Sequence, residues 1–453
     1  MAPRLAIPRH PLALAGVLIA TVAGAVFCAL VIASLAGLFE NPYAGLVIFI
    51  AIPALFILGL LLIPAGVWLE RRRLQRDPGA SSDYPVVDFR IQQVRRTALL
   101  VTALTAVNLV ILLLAGYGSL HWMESPSFCG QVCHTPMHPQ FAAWQSGPHK
   151  RIACVSCHIG EGPSGFVHAK LNGVRQLVQV ATTSYPRPIP SGAHMPEGAQ
   201  ARTCSSCHSP STRHVGDQVR VVREYADDEE NSETKTILQM YLGPGSPSGH
   251  NIHWHADPSI RIEYVSTDAT NETIPWVRVT NAAGQVKEFV TEGTTPEAIA
   301  AGTRRTMSCI DCHNTVGHPI SPTPEQAVDR AIGAGLIDRQ IPNARREAVR
   351  LISAEYPTQD EGAAAIEREL RNIFKPSAGK VDQQSVERSV IAVRDLYRNN
   401  VFPTMKVKFG TYPTNRGHSS STGCFRCHDS LHTAKDGSVI TDDCEFCHKE
   451  ITQ

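Results

Sequence analysis

The chain has 453 residues, of which 43% are apolar, 18% charged and 6% aromatic, and its formal net charge is +1. The charged fraction lies below the roughly 25% typical of soluble proteins, so part of the chain is expected to avoid water. A net charge near zero argues against nucleic-acid binding, which needs a strongly basic surface. A chain of this length is typical of about three domains.

Three stretches without a charged residue lie near the N-terminus: Pro11–Phe39, Asn41–Leu69 and Thr97–Leu120. Each exceeds the ~20 apolar residues that cross a bilayer as a helix, so three transmembrane helices are predicted. The first stretch follows Arg4 and Arg9, as the core of a signal peptide would. It is about twice as long as such a core, and we interpret it as a retained helix.

The arginines predict the orientation of these helices. Two precede the first stretch, seven lie between the second and the third, and the loop Glu40–Tyr43 has no positive charge. Positive charge favours the cytoplasmic side, so the N-terminus and the 70–96 loop are predicted to be cytoplasmic. Three crossings of a bacterial inner membrane then place the residues after Leu120 in the periplasm.

Twelve of the thirteen cysteines form six pairs, and a histidine follows each pair directly. Five pairs read Cys-x-x-Cys-His, and the sixth, CGQVCH at 129–134, has one extra residue. Two thiols at this spacing can form thioether bonds to one haem, whose iron the next histidine binds as proximal ligand. Six covalently attached haem c groups are therefore predicted. The residues are Cys129, Cys133 and His134; Cys154, Cys157 and His158; Cys204, Cys207 and His208; Cys309, Cys312 and His313; Cys424, Cys427 and His428; and Cys444, Cys447 and His448.

Disulfides and zinc sites are the alternatives for paired cysteines. A disulfide framework gives no reason for a histidine after every pair, and zinc needs two converging pairs without that histidine. The extra residue at 129–134 is expected to form a bulge that still lets His134 lie under the haem. Haem c is attached on the outer face of the membrane, which agrees with the predicted orientation.

Histidines outside the motifs are candidates for the distal iron ligands. A residue four or five positions after a proximal histidine lies on the same side of the haem. His318 and His432 are therefore predicted to bind neighbouring haems, and Met137 would raise the potential of the first haem. Six-coordinate irons of this kind carry electrons and leave no position for a substrate. The candidate distal ligands are Met137, His149, His194, His214, His253, His255, His318, His418 and His432.

Residues 128–160 carry a family resemblance. They follow an apolar anchor and combine a first haem motif, a methionine just after its histidine, the pattern Trp144-x-x-Gly147-x-His149 and a second haem motif. In these features the chain resembles the NapC/NirT family of membrane-anchored multihaem cytochromes c, which includes the NrfH-type quinol dehydrogenases. The resemblance implies oxidation of membrane quinol, Met137 as a first-haem ligand and His149 as a distal ligand of another haem.

The resemblance covers about residues 97–210 and continues more loosely through 253–258 and 411–448. The chain has three spans and six haem motifs, whereas the simple family members have one and four. NrfH-type members carry a lysine near the first haem and an aspartate seven residues later. Here Lys170 matches the lysine, and Leu177 stands in place of the aspartate.

The spacing of the first motif predicts a quinol site near the membrane. Nine residues, His121–Cys129, separate the last span from the first haem cysteine, and they reach at most about 30 Å. Phe166–Ala181 is predicted to be an amphipathic helix that lies on the bilayer surface or packs on haem edges. Quinol oxidation releases protons and needs a base nearby. The candidates for the quinol site are Lys170, Gln176, His168 and His138.

The predicted fold is three transmembrane helices followed by a mainly helical and irregular haem domain, with a small β-hairpin insert and a helical insert. Strands are predicted at 260–266, 276–280 and 286–290, with a turn at Asn281–Gly284. The acidic cluster Asp227–Glu230 is predicted to be a solvated loop or, alternatively, a patch that docks a partner. Helices are predicted at 324–336, 342–356, 360–374 and 382–399, packing on haems or on a partner subunit. The predicted domains are 1–120 (membrane), 121–215 (three haems), 216–308 (β-containing insert) and 309–453 (three haems, with the helical insert at 324–400).

These features favour an electron conduit from membrane (mena)quinol to a periplasmic redox partner. One alternative is a relay subunit of a larger membrane complex without its own quinol site. The other is a terminal reductase, which needs an iron with an open position, and no Cys-x-x-Cys-Lys motif marks one.

Overall fold

The computed structural model describes residues 10–35, 47–76, 90, 92–132, 134–159, 162–190, 203–208, 216–243, 251–268, 270–376, 379 and 381–451. The chain divides into two compact units, Met1–Val132 and Cys133–Gln453. Three predicted site residues, Cys133, His194 and His214, lie outside the described residues, as does the side chain of His134.

The first unit contains the three predicted spans as helices. They are α1 (Pro11–Leu35), α2 (Ile52–Arg76) and α3 (Gln92–Met123). Each is long and apolar enough to cross a membrane. Two short π-helical turns accompany them, Val47–Ala51 before α2 and Phe128–Val132 after α3.

Small residues bring α1 and α2 together. A Cβ atom added at Gly16 would lie 2.7 Å from the carbonyl oxygen of Gly59, and one at Gly59 would lie 2.6 Å from the amide of Ala20. Because neither glycine has a Cβ, the two backbones approach closely, as is usual for packed membrane helices.

The second unit contains nine helices among its described residues and two antiparallel sheets. These helices are α4 (His134–Ser146), α5 (Val155–His158), α6 (Gly162–Ala181), α7 (Pro296–Ala301), α8 (Cys309–Cys312), α9 (Pro324–Gly333), α10 (Ala344–Ser353), α11 (Gln359–Ile373) and α12 (Gln383–Asn400). Short 3₁₀ turns lie at Ile252–Ala256, Pro403–Met405, Gly423–Arg426 and Cys444–Phe446.

The β structure is larger than the predicted hairpin. A five-stranded sheet has the order β6-β3-β4-β5-β7, and a three-stranded sheet has the order β1-β2-β8. The two last strands come from the C-terminal haem segment, so the sheets join that segment to residues 216–306. The strands are β1 (Gln218–Tyr225), β2 (Glu233–Met240), β3 (Arg261–Ser266), β4 (Trp276–Thr280), β5 (Val286–Thr291), β6 (Thr303–Thr306), β7 (His432–Ala434) and β8 (His448–Glu450).

The turn between β4 and β5 is the predicted one. Gly284 adopts a positive φ of 75° and donates its amide to the carbonyl of Asn281 at 2.9 Å. The side-chain oxygen of Asn281 accepts the amides of Ala283 and Gln285. Glycine is favoured here because a Cβ atom penalises this backbone conformation.

The helices α9 to α12 pack against one another. Thr323, Thr358 and Asp382 cap three of them through side-chain oxygens that accept backbone amides. Their apolar faces meet in one core, so the helices of the insert pack on one another; the predicted packing on haems or on a partner subunit stays a prediction. The core includes Tyr225, Val328, Ile332, Ile337, Ile341, Leu351, Ile366, Leu370, Val390, Val393 and Tyr397.

The acidic cluster forms the turn between β1 and β2. Asp227 makes an ion pair with Arg345 at 2.7 Å, and Asp228 accepts the amide of Ser232 at 2.8 Å. The buried side chain of Asn231 donates to the carbonyls of Arg339 and Ile341. The cluster therefore attaches the hairpin to the helical insert and is more than a solvated loop.

Candidate haem sites and their histidines

Four of the five Cys-x-x-Cys-His motifs share a local backbone conformation. The amide of His158 donates to the carbonyl of Cys154 at 3.0 Å. The motifs at 204–208, 309–313 and 424–428 contain the same bond at 2.8, 2.9 and 3.0 Å. A helical turn places residues i, i+3 and i+4 on one side, so both cysteines and the following histidine lie on a common face. Attachment of one haem through two thioethers and a proximal ligand requires this arrangement.

The stretched first motif begins in a wider turn. Phe128–Val132 is π-helical, and a π turn contains one more residue than an α turn. The wide turn coincides with the position of the extra residue.

Burial keeps several motif thiols uncharged. It raises the pKa of Cys312 to about 11, that of Cys427 to about 12 and that of Cys447 to about 11. Reactive cysteines instead have lowered pKa values. Within the described ranges, no group of three or more His, Cys, Asp or Glu side chains is arranged to hold a metal ion.

Cysteines of consecutive motifs are neighbours in space. The side chain of Cys204 is hydrogen bonded to Cys309, which lowers the pKa of Cys309 and raises that of Cys204. In the other pairs, the charge of the neighbouring cysteine adds to the effect of burial and raises the pKa of the thiol. The five motifs from 154–158 to 444–448 therefore follow one another in space in the order of the sequence. The neighbouring thiols are Cys157 with Cys207, Cys204 with Cys309, Cys312 with Cys424, and Cys424 with Cys447.

Four histidines outside the motifs face proximal histidines. Their ring centres are 5.7 to 6.2 Å apart. Two metal–nitrogen bonds of about 2 Å, together with about 1 Å from each nitrogen to its ring centre, give a separation of about 6 Å. These rings therefore fit the two sides of a haem iron. The pairs are His158 with His318 (6.0 Å, planes at 37°), His208 with His149 (6.1 Å, 79°), His428 with His255 (5.7 Å, 74°) and His448 with His418 (6.2 Å, 23°).

Backbone carbonyls orient several of these rings through Nδ1. A carbonyl oxygen only accepts hydrogen bonds, so Nδ1 is the donor and the lone pair lies on Nε2. Metal-binding histidines are commonly oriented in this way by a second hydrogen bond. The bonds join His149 to Val316 (3.3 Å), His255 to Ile252 (2.9 Å), His318 to Gln140 (2.9 Å) and His428 to Thr441 (2.8 Å).

His313 lies near His253. Burial lowers the pKa of His313, and the charges of Arg416, His253 and His208 lower it further. A neutral imidazole is the form that binds a metal. His253 is therefore placed near the proximal histidine of the 309–313 motif.

The surroundings of His432 differ from those of the other candidates. Its side chain is 1% exposed, its Nδ1 lies 2.9 Å from Asp429 Oδ1, and its Nε2 lies 2.6 Å from the carbonyl of Ile274. Both partners are acceptors, so the protein engages both ring nitrogens and neither is directed at an iron. This arrangement argues against the predicted ligand role. Instead, His432 joins β7 to the segment of the same chain that contains Ile274.

The first haem motif is followed by α4, which carries Met137 and His138. The ring of His138 packs edge-on against Phe402 at 5.0 Å. Gly147, in the loop after α4, approaches Pro319 so closely that a Cβ atom would lie 3.0 Å away. This approach brings the 147–149 loop beside the 316–319 segment. The loop contains His149, which faces His208, and the segment contains His318, which faces His158.

Sequence reasoning missed Arg426, the second variable residue of the 424–428 motif. It is 8% exposed and donates to the carbonyl of Asp311, which lies within the 309–313 motif. The carboxylate of Asp311 accepts the amide of Ser308 at 2.6 Å and the hydroxyl of Tyr264. The sequence contains a signal for this contact, because the second variable position of each motif is charged, with Arg426 in one and Asp311 in the other.

The quinol-site candidates lie on two helices. Lys170, His168 and Gln176 belong to α6, and His138 belongs to α4. At 100° per residue, Lys170 and His168 flank an apolar stripe on opposite sides, whereas Gln176 points away from it. The stripe is exposed at Val167 (53%), Leu171 (65%), Val174 (61%) and Val178 (57%).

Comparisons with known proteins agree with this chemistry. The chain is 36% identical over 452 residues to the cytochrome c-type protein ImcH of Geobacter sulfurreducens, with 98% of this chain and 88% of the relative covered. No family model matches the chain, and no solved structure matches it. The chain belongs to the family of membrane multihaem c-type cytochromes that includes ImcH, with covalently bound haem c and a role in electron transfer.

Proposed function

We propose that this chain is a membrane-bound hexahaem cytochrome that takes electrons from (mena)quinol and passes them to a periplasmic acceptor. The observation that carries the proposal is the succession of neighbouring motif cysteines, from Cys157 to Cys447, in the order of the sequence. With a haem at each of these five motifs, consecutive porphyrins would lie close together. Electrons that enter at one end can then leave at the other.

Paired histidines favour electron transfer over catalysis at iron. An iron between two imidazoles has six ligands and offers no position to a small substrate. Four proximal histidines have a second ring at the matching distance. A terminal reductase would need a haem without such a second ring.

Electron input from the membrane is supported by the first motif. Helix α3 ends at Met123, and Cys129 follows six residues later within the same compact unit. A haem attached there is close to the end of a membrane-spanning helix. A lipid-soluble quinol is the class of reductant found at that depth.

Helix α6 is the element that we propose to contact the lipid surface. Its apolar stripe is exposed, and no acidic residue lies between Gly162 and Ala181. Lys170 borders the stripe and is the preferred base for the quinol, with His168 as the second candidate. Gln176 faces away from the stripe, and His138 lies on α4, so both are weaker candidates.

The finer assignments belong to the same proposal. The resemblance of residues 128–160 to the NapC/NirT family supports membership of that family as a proposal, and the positive charges predict a cytoplasmic N-terminus with the haem unit in the periplasm. The acceptor is a periplasmic redox protein or a partner subunit of a membrane complex.

The test mixes the purified holoprotein rapidly with a menaquinol analogue. Haem absorbance is recorded to monitor the reduction. We expect rapid reduction that a quinone-site inhibitor blocks. Lys170→Met should slow it at least about tenfold, because general bases contribute about 10²–10⁴-fold. Arg175→Met on the same helix is the matched control and should react at the unaltered rate.

Each outcome has a defined meaning. Unaltered reduction of Lys170→Met would remove Lys170 from the quinol site and leave quinol oxidation in place. Failure of quinol to reduce the unmodified protein, while dithionite does so, would contradict the proposal and favour a relay subunit fed by another protein.

A further inference from the structure

The paired histidines indicate which residue lies opposite each proximal histidine, in addition to indicating that haem is bound. Each pair joins a proximal histidine of one motif to a ring from another part of the chain. The sequence separation within these pairs ranges from 30 residues, between His418 and His448, to 173, between His255 and His428. The spacing of the motifs does not predict this pairing.

We propose that these four haems are bis-histidine centres whose distal ligands are His318 for the 154–158 haem, His149 for 204–208, His255 for 424–428 and His418 for 444–448. This assignment rests on the proposed haem attachment at the six motifs. It adds the identity of the second iron ligand at each centre.

Ring geometry supports the assignment in two independent ways. The separations of 5.7 to 6.2 Å match two imidazoles on opposite sides of one iron. In addition, His149, His255 and His318 each donate Nδ1 to a backbone carbonyl, which leaves the lone pair on Nε2. His432 fails this second criterion, because both of its nitrogens face acceptors.

The assignment links neighbouring haems through the peptide. His149 lies between the first two motifs and binds the third haem. His318 lies five residues after the fourth proximal histidine and binds the second haem. The second, third and fourth haems are therefore interlocked by two short segments.

The 3₁₀ turn Ile252–Ala256 supplies the proposed distal ligand of the fifth haem. His255 faces the fifth haem from this turn. His253 is two residues earlier, and with three residues per turn its side chain points about 120° away. Its side chain therefore points away from the iron that His255 faces.

The angles between ring planes predict the spectrum of each centre. Nearly parallel imidazoles separate the energies of the iron d orbitals and give a rhombic low-spin signal in electron paramagnetic resonance. Nearly perpendicular imidazoles leave two of these orbitals close in energy and give a strongly axial signal. The planes of His418 and His448 lie at 23°, whereas those of His255 and His428 lie at 74°.

The experiment compares His418→Ala with His255→Ala in the oxidised full-length holoprotein. We expect each variant to convert one of the six haems from low to high spin. His418→Ala should remove rhombic intensity, and His255→Ala should remove axial intensity. Added imidazole should restore the lost signal in both variants, because it refills the vacated position.

The control is His432→Gln, which should keep all haems low-spin because His432 is not a ligand. Haem content is measured by intact mass on every sample, and His418→Met and His255→Met replace any alanine variant that lacks haem. In these methionine variants we expect one haem to shift to a higher potential.

Two results would overturn the assignment. One is an unaltered low-spin spectrum in His418→Ala or His255→Ala with a full complement of haem. The other is a new high-spin haem in His432→Gln. A motif that carries no haem in the unmodified protein would instead contradict the proposed hexahaem function, so the two failures are distinguishable.

Discussion

The guanidinium of Arg426 donates to the backbone carbonyl of Asp311 at 2.8 Å and thereby joins the 424–428 motif to the 309–313 motif. The same side chain donates to the carbonyls of Gly423 (2.8 Å) and Asn271 (3.0 Å). One buried charge therefore satisfies three carbonyls and sets the relative position of two adjacent haem-binding turns.

Arg426→Met should destabilise the protein strongly. The variant leaves buried carbonyls without their donor, and each unsatisfied group costs about 1–3 kcal/mol. We expect the free energy of unfolding to fall by about 3 kcal/mol or more, measured by denaturant titration with circular dichroism. Arg398→Met is the control, because Arg398 pairs with the exposed Asp360 and such pairs contribute about 0–1 kcal/mol. Equal losses in the two variants would contradict this role of Arg426.

Two tyrosines should respond oppositely to the loss of a hydroxyl group. Among the described residues, the buried Tyr397 hydroxyl has no hydrogen-bond partner, and burial raises its pKa to about 12. Tyr412 donates to the carbonyl of Ile189 at 2.8 Å and accepts from Gln140. We expect Tyr397→Phe to be neutral or stabilising, and Tyr412→Phe to cost about 1–3 kcal/mol. A Tyr397→Phe variant less stable than Tyr412→Phe would refute the prediction.

The contact between α1 and α2 makes a prediction for the membrane unit. Gly59→Ala would place a Cβ atom 2.6 Å from the backbone of Ala20 and should force the helices apart, at a cost of about 1–3 kcal/mol. Gly116→Ala on α3 is the matched control, since no atom lies within 4 Å of its added Cβ. The measurement is the thermal unfolding midpoint in detergent, where Gly59→Ala should be lower and Gly116→Ala unaltered. A normal midpoint for Gly59→Ala would show that the helices do not pack so closely.

Asp429 should make stability sensitive to acid. Burial alone raises the pKa of its carboxyl, but hydrogen bonds from the ring of His432 and from the amides of Leu431 and His432 outweigh burial and lower it. A lowered folded-state pKa stabilises the fold above the unfolded-state value of about 4, and this contribution is lost as pH falls through the folded-state value. Unfolding measured between pH 7 and pH 3 should show the loss. Asp429→Asn should flatten it, and an unaltered slope in that variant would exclude this carboxyl.

Local sequence predicted the elements whose chemistry is local. The haem motifs, the three spans and the four helices of the insert depend on spacing within about one or two turns, and α11 lies within one residue of its predicted ends. The turn at Asn281–Gly284 is predictable for the same reason. In each case neighbouring residues alone determine the conformation.

Long-range partners were not predictable. His149 and His208 are 59 residues apart, and nothing in their spacing indicates that their rings face each other. Strands β7 and β8 have three residues each and form only because β5 and β2 offer them an edge. His432 was proposed as a ligand because of its position four residues after His428, but its hydrogen bonds to Asp429 and Ile274 involve both ring nitrogens.

The most direct measurement is intact and peptide mass spectrometry of the purified membrane protein. The predicted result is six haems per chain, attached through the cysteine pairs that begin at residues 129, 154, 204, 309, 424 and 444, with Cys28 unmodified. Unmodified thiols at any of these pairs in the mature protein would contradict the proposed hexahaem cytochrome.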